Sequence, residues 1–160
     1  MAATPAIAAL EKAGVVHTVR SYHHDRRSTD YGAEAVEKMA ALGISAEQIF
    51  KTLVVDLGGT LAVAVVPVPE KLSLKAAAKA LGASKAAMAD AAKVTRATGY
   101  VLGGVSPVGQ KTTLPTVVDE SAFMWDTVLC SAGKRGLEIE LSPDDLVAAT
   151  GAVVADILAP

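Results

Sequence analysis

A chain of 160 residues, 51% apolar but only 4% aromatic, is sized for one domain (residues 1–160) with a core of Ala, Val, Leu and Ile that needs neither metal nor disulfide. Its net charge of −2 excludes capture of polyanions by the field of the whole molecule, so any nucleic-acid contact must come from a local basic patch. Cys130 is the single cysteine, which excludes an internal disulfide and fits a reducing compartment. The first ten residues lack the basic and apolar regions of a signal peptide, and no run reaches the ~18 apolar residues of a bilayer span, so a soluble, cytoplasmic protein is expected.

Thr4-Pro5 reads as the N-cap and first residue of a short helix through Ala6, Leu10 and Lys12 that stops at Gly14. Val15, Val16, Thr18 and Val19 predict a strand over residues 15–22, which runs into the polar cluster Tyr22-His23-His24-Asp25. Ala35, Val36, Met39 and Leu42 recur at helical spacing between Tyr31 and Gly43, and Ser45-Ala46-Glu47-Gln48 has the capping-box pattern for one further turn. Two apolar runs, residues 53–56 and 60–66, flank Gly58-Gly59 and predict a hairpin; the second does not alternate, as expected of a strand buried on both faces. Ser73, Ser84 and Asp90 are read as caps of three helices, the first ending at Gly82 and the last near Gly99. Strands are expected over residues 114–119, 127–132 and 137–141, the last two joined by the turn Gly133-Lys134-Arg135-Gly136. Ser142-Pro143-Asp144-Asp145 opens a final helix to Gly151, followed by an apolar segment over residues 153–158. Helices interleaved with strand pairs suggest an α+β domain around a mixed sheet.

The candidate chemistry gathers in a few places. Gly99, Gly103, Gly104, Gly109 and Pro107 fall within residues 98–110, which predicts a shaped loop whose amides are open to a ligand, or else a tight corner with none. The loop lacks the Gly-Lys-Ser/Thr ending of a phosphate-binding Walker loop and the spacing of a dinucleotide fingerprint. Lys51, between Phe50 and an apolar strand, suits an ammonium at the mouth of a cleft, although a lysine reaching water at the sheet edge has the same surroundings. Adjacent histidines on extended chain point opposite ways, so His23-His24 argues against a metal site, and Tyr22 is expected to turn toward a pocket. No G-x-S-x-G elbow exists to present a nucleophilic serine. Lys134 and Arg135 offer two cations on a turn, for phosphates or for water, and Glu138 is either a pocket carboxylate or an outward strand residue. Cys130 reads as a small buried hydrophobe rather than a nucleophile.

Taken together, Thr4-Pro5-Ala6, Tyr22-His23-His24-Asp25, Phe50-Lys51-Thr52-Leu53, Leu81-Gly82-Ala83, Met88-Ala89-Asp90, residues 98–111 and residues 131–138 resemble the YbaK family of free-standing aminoacyl-tRNA deacylases. That family is related to the editing domain inserted in bacterial prolyl-tRNA synthetases. The resemblance implies a mixed, strongly curved sheet flanked by helices and a cleft for the 3′ aminoacyl-adenosine. It implies that Lys51 is the key functional residue and that Gly103 opens a substrate loop ending at Pro107, with Gly104 and Ser106 between them. Tyr22, Thr52, Ser131 and Glu138 match further cleft positions, and Lys111, Lys134 and Arg135 are the cations expected near tRNA phosphates. The activity implied is deacylation of Cys-tRNA(Pro) in which the substrate thiol attacks its own ester, without cofactor or metal. Deacylation of an alanyl, seryl or prolyl ester, or non-catalytic binding of tRNA or a synthetase, are the other readings. The partner implied is the acceptor end of tRNA(Pro), not DNA or a membrane, and a complex with prolyl-tRNA synthetase is left open.

Overall fold

The computed structural model describes residues 3–25 and 27–160. Along them run α1 (Pro5–Lys12), β1 (Thr18–Ser21), α2 (Tyr31–Ala40), β2 (Phe50–Asp56), β3 (Leu61–Pro67), α3 (Leu74–Ala80), β4 (Ala87–Met88), α4 (Ala91–Thr98), β5 (Thr116–Asp119), β6 (Val128–Lys134), β7 (Leu137–Leu141), α5 (Pro143–Thr150) and β8 (Val153–Ala155). Their strands form two sheets. One is mixed, in the order β4-β2-β3-β5-β8, antiparallel as far as β3 and parallel beyond it. The other is antiparallel, in the order β1-β7-β6, and a bridge between Ile49 and Leu129 joins the two. Among the described residues no helix is long and apolar enough to cross a membrane.

Strand β3 explains why its sequence does not alternate. Val63 and Val65 enter a core shared with Phe50 and Val54 of β2, Cys130 of β6, Ile139 of β7 and Ile7 and Leu10 of α1. Ala64 and Val66 enter a second core on the opposite face, with Val117, Ile157 and the flank of α3. Ala35 and Met39 of α2 make a third cluster with Ile49 and Leu129, at the corner where the sheets meet.

Most helix starts follow from side-chain caps. Thr4, Asp30, Ser73, Asp90 and Ser142 each accept a first-turn backbone N–H, an interaction worth about 1 kcal/mol each. Three expectations change. Ser45 precedes one short 3-10 turn (Ala46–Gln48) but its side chain makes no cap bond. The helix expected after Ser84 is absent: residues 87–88 pair with the free edge of β2 instead, and the Ala89 N–H donates to the Val54 carbonyl at 3.0 Å. Sheet pairing here overrides the helix propensity of an alanine-rich stretch. Strand β1 starts at Thr18, because the Val15 N–H still closes the end of α1 on the Leu10 carbonyl.

Candidate active site

A cleft of about 430 Å³ opens between the start of β2, the first turns of α2, residues 102–105 and the β6–β7 hairpin. Register places its functional groups. Lys51 and Thr52 are held against Val66 and Val65 of the doubly buried β3, so their backbone is as fixed as the core. Ser131 of β6 stands directly opposite Glu138 of β7. The Tyr22 N–H continues the β1–β7 pairing by donating to the Gly136 carbonyl at 2.9 Å. Strand β6 runs two residues past its expected end, through a bulge between Ser131 and Lys134. Gly133 provides that bulge with a φ of +100°, and Ser131 Oγ accepts its N–H at 3.0 Å.

The cleft mixes an under-solvated cation with neutral polar groups. Lys51 is half-buried, and burial pushes its ammonium pKa down; Asp30 and Glu70 oppose this and Lys71 adds to it. Among the described residues no carboxylate closes an ion pair with it. Glu138 is only 6% exposed, and burial pushes its carboxyl up to about 8, so it is largely neutral at pH 7 and able to donate a proton. Burial, followed by the charges of Glu138 and Glu34, pushes Tyr22 up to about 12. The Thr52 hydroxyl is buried with no hydrogen-bond partner among the described residues. No histidine or cysteine among the described residues lines the cleft. Cys130 lies fully buried behind it, its thiol pKa pushed well up by burial.

Gly103 shapes the facing wall. Its φ is +88°, and a Cβ there would stand 2.5 Å from the Tyr31 ring and 2.7 Å from Arg135 Nε. Arg135 stacks 4.0 Å above the Tyr31 ring and donates from Nη2 to the Leu102 carbonyl at 3.1 Å, tying hairpin, helix and loop together. The Gly103 N–H has no acceptor among the described residues.

The sequence-expected residues divide accordingly. Tyr22, Lys51, Thr52, Gly103, Ser131, Lys134, Arg135 and Glu138 all line the cleft. Gly104, Ser106 and Pro107 do not face it; they are buried inside the loop. Gly104 packs on the Lys134 backbone, and Ser106 is fully buried, its Oγ accepting from the Val108 N–H. The cause is Tyr100, whose buried ring lies under the loop and whose hydroxyl donates to the Val108 carbonyl at 2.7 Å, drawing the chain inward. Lys111 is exposed and its N–H returns to the Thr98 carbonyl, away from the cleft lining. His24 pairs through Nδ1 with Glu34 Oε1 at 2.5 Å, which turns the histidine cluster toward α2. Tyr31 is the residue that sequence reasoning missed; an aromatic at the first position of α2, in a chain with so few, was the available signal.

A family model of the aminoacyl-tRNA editing domain matches residues 30–149, which include nearly every cleft position. The chain belongs to this family. The editing domain is 41% identical over 126 residues to EbsC of Enterococcus faecalis, a protein named for Cys-tRNA(Pro)/Cys-tRNA(Cys) deacylase activity; the match covers 78% of this chain and 76% of that one. It superposes with a TM-score of 0.84 or better on solved folds, among them one described as a trans-editing enzyme for prolyl-tRNA synthetase, with TM-score 0.86, 29% identity and full coverage of both chains. A proline–tRNA ligase of Shouchella clausii is 30% identical over 112 residues, 70% of this chain but only 20% of the ligase. The editing domain thus corresponds to one segment of that larger protein.

Proposed function

We infer that this editing domain acts in trans as a deacylase of Cys-tRNA(Pro), with the substrate's own thiol as nucleophile. The observation that carries the reading is that one cleft brings together the Lys51 ammonium and the Gly103 N–H, neither with a partner among the described residues, and that none of those residues lining it is a histidine or cysteine able to activate a protein nucleophile. The Gly103 N–H suits the negative charge that develops on an ester carbonyl oxygen, and the ammonium suits a phosphate of the terminal adenosine, which orients the ester. The cysteinyl thiol gives up its proton, and its sulfur bonds to its own carbonyl carbon. The C–O bond to the ribose then breaks, and the ribose oxygen takes a proton, leaving a cyclic thiolactone and free tRNA. The protein's task is to hold the thiol against the carbonyl, for which intramolecular attack has a large effective molarity. The spare Thr52 hydroxyl and the neutral Glu138 are groups able to fix the substrate in that posture. The tRNA(Pro) acceptor end is the partner, prolyl-tRNA synthetase is a candidate to deliver it, and the cytoplasm is where both would be met.

The test compares cysteinyl with seryl esters of the same tRNA. Cysteinyl-tRNA(Pro) should be cleaved at least ~10²-fold faster, the scale of a lost intramolecular nucleophile. Cys130→Ala should leave the rate unchanged, since that thiol is sealed in the core. Equal rates on the two esters would sink thiol assistance and point to an activated water.

A further inference from the structure

Beside the cleft lies a second, more open groove of about 570 Å³, walled by Ala33 and Val36 of α2, by Ala46, and by Val68 and Pro69 after β3. Asp30, Gly32, Lys51 and Val68 belong to the walls of both. The two spaces are therefore neighbours, and Lys51 stands on the low wall they share. Gly32 keeps that wall low, since a Cβ there would already press to 3.0 Å on the Val68 side chain. If the cleft holds the terminal aminoacyl-adenosine, as proposed above, the chain of the nucleic acid must leave it past some neighbouring surface. This groove adjoins the cleft at Lys51.

We propose that the groove is a subsite for the penultimate nucleotide of the tRNA 3′ end, a cytidine, with Lys51 binding the phosphodiester that links it to the terminal adenosine. An ammonium on the shared wall can contact a phosphate from either side, and Lys71 adds positive potential nearby. The aliphatic walls suit the face of an unstacked base, which single-stranded RNA offers and a duplex does not. The edge chemistry selects the base. Glu37 and Asp30 border the groove; one Asp30 oxygen is occupied by the Ala33 N–H, while Glu37 is exposed and makes no ion pair among the described residues. A carboxylate accepts from the exocyclic amine of cytosine and is repelled by the carbonyl that uracil carries at that position. Two carboxylates beside a phosphodiester would otherwise be unfavourable, so Lys51 also explains how a polyanion tolerates this acidic wall.

The inference rests on the deacylase reading for the identity of the ligand, but its test needs no ester. Binding of adenosine 5′-monophosphate, CpA and UpA is measured by NMR titration, following the methyl groups of Val36 and Val68. CpA should bind at least ~5-fold more tightly than adenosine 5′-monophosphate or UpA and shift both valines, the preference expected of a carboxylate reading one base edge. Glu37→Ala should bring the CpA-to-UpA ratio to near one. Ala33→Trp, at an exposed position, should fill the groove and abolish the gain of CpA over the mononucleotide. Equal binding of all three ligands, or a CpA preference untouched by both substitutions, overturns the subsite. A protein that binds CpA selectively but cleaves no cysteinyl ester would refute the deacylase reading alone; one that cleaves the ester without CpA preference would refute the groove alone.

Discussion

Gly103 sits in a loop fastened from several directions, whereas Lys51, in the same cleft, has a rigid backbone and a side chain paired with no carboxylate among the described residues. Tyr100 pulls the loop down from within, Arg135 holds it to the hairpin and Tyr31 backs it. This wall's demand is conformational: a left-handed residue at a point with no room for a Cβ. Lys51 carries an electrostatic cost instead, as an ammonium partly withdrawn from water. One wall thus supplies geometry and the other supplies charge, so damage to them should look different.

Lys51→Ala offers the sharpest separation. Activity on Cys-tRNA(Pro) should fall by about 10²-fold or more, with thermal stability unchanged or slightly raised, because a desolvated cation is removed. Lys51→Arg should restore little, since a planar guanidinium does not replace a compact point charge. A folded alanine variant with near wild-type turnover would falsify the assignment.

Gly103→Ala should lose both activity and stability, the second by about 1–3 kcal/mol, because a Cβ meets the Tyr31 ring and Arg135 and the φ is unfavourable for any other residue. Denaturant unfolding beside single-turnover rates checks this; lost activity with no change in stability would mean that the loop has room for a Cβ.

Glu138 predicts a pH dependence with a definite sign. Its folded pKa of about 8 lies above the ordinary 4.5, so the folded state holds a proton that the unfolded state gives up. Stability should therefore decline as pH rises from about 4.5 to about 8 and level off beyond, by an amount on the order of a few kcal/mol. Glu138→Gln, which keeps shape and removes the titration, should flatten that slope. An unchanged slope would show that the carboxyl is solvated in solution.

The smallest effect separates two adjacent cations. Lys134→Ala should weaken tRNA binding modestly and lower its salt slope by about one, as for one lost phosphate contact. Arg135→Ala should alter turnover more than the salt slope, because its guanidinium is engaged on Tyr31 and the Leu102 carbonyl. Identical salt slopes for both variants would blur the distinction.

The caps made much of the fold legible. Thr4-Pro5, Asp90 and Ser142-Pro143 mark helix starts because the side chain that signals them also forms the bond. Burial at particular positions was not legible, and Glu138 shows why. Glu138 and Glu140 share one face of β7, and alternation treats them alike. Glu140 reaches Arg20 at 2.9 Å and Thr127, whereas Glu138 is buried in the cleft wall without an ion pair among the described residues, and that burial raises its pKa. The difference is made by β2 and the glycine loop, which arrive from distant sequence. The same holds for Ser106, which the family resemblance placed in the substrate loop and which, buried in a loop folded over Tyr100, has a backbone partner instead.

The position of β3 at the centre of the mixed sheet has a consequence for synthesis. Its antiparallel partner precedes it by one turn, but its parallel partner β5 is not made until residues 116–119, and β8 only at residues 153–155. A growing chain therefore carries Ala64 and Val66, on the face opposite the α1 core, long before Val117 and Ile157 are made to cover them. Non-local parallel pairing is slow to form, and exposed apolar strands are prone to association meanwhile. Translation pauses or truncations before residue 119 should drive this chain into aggregates.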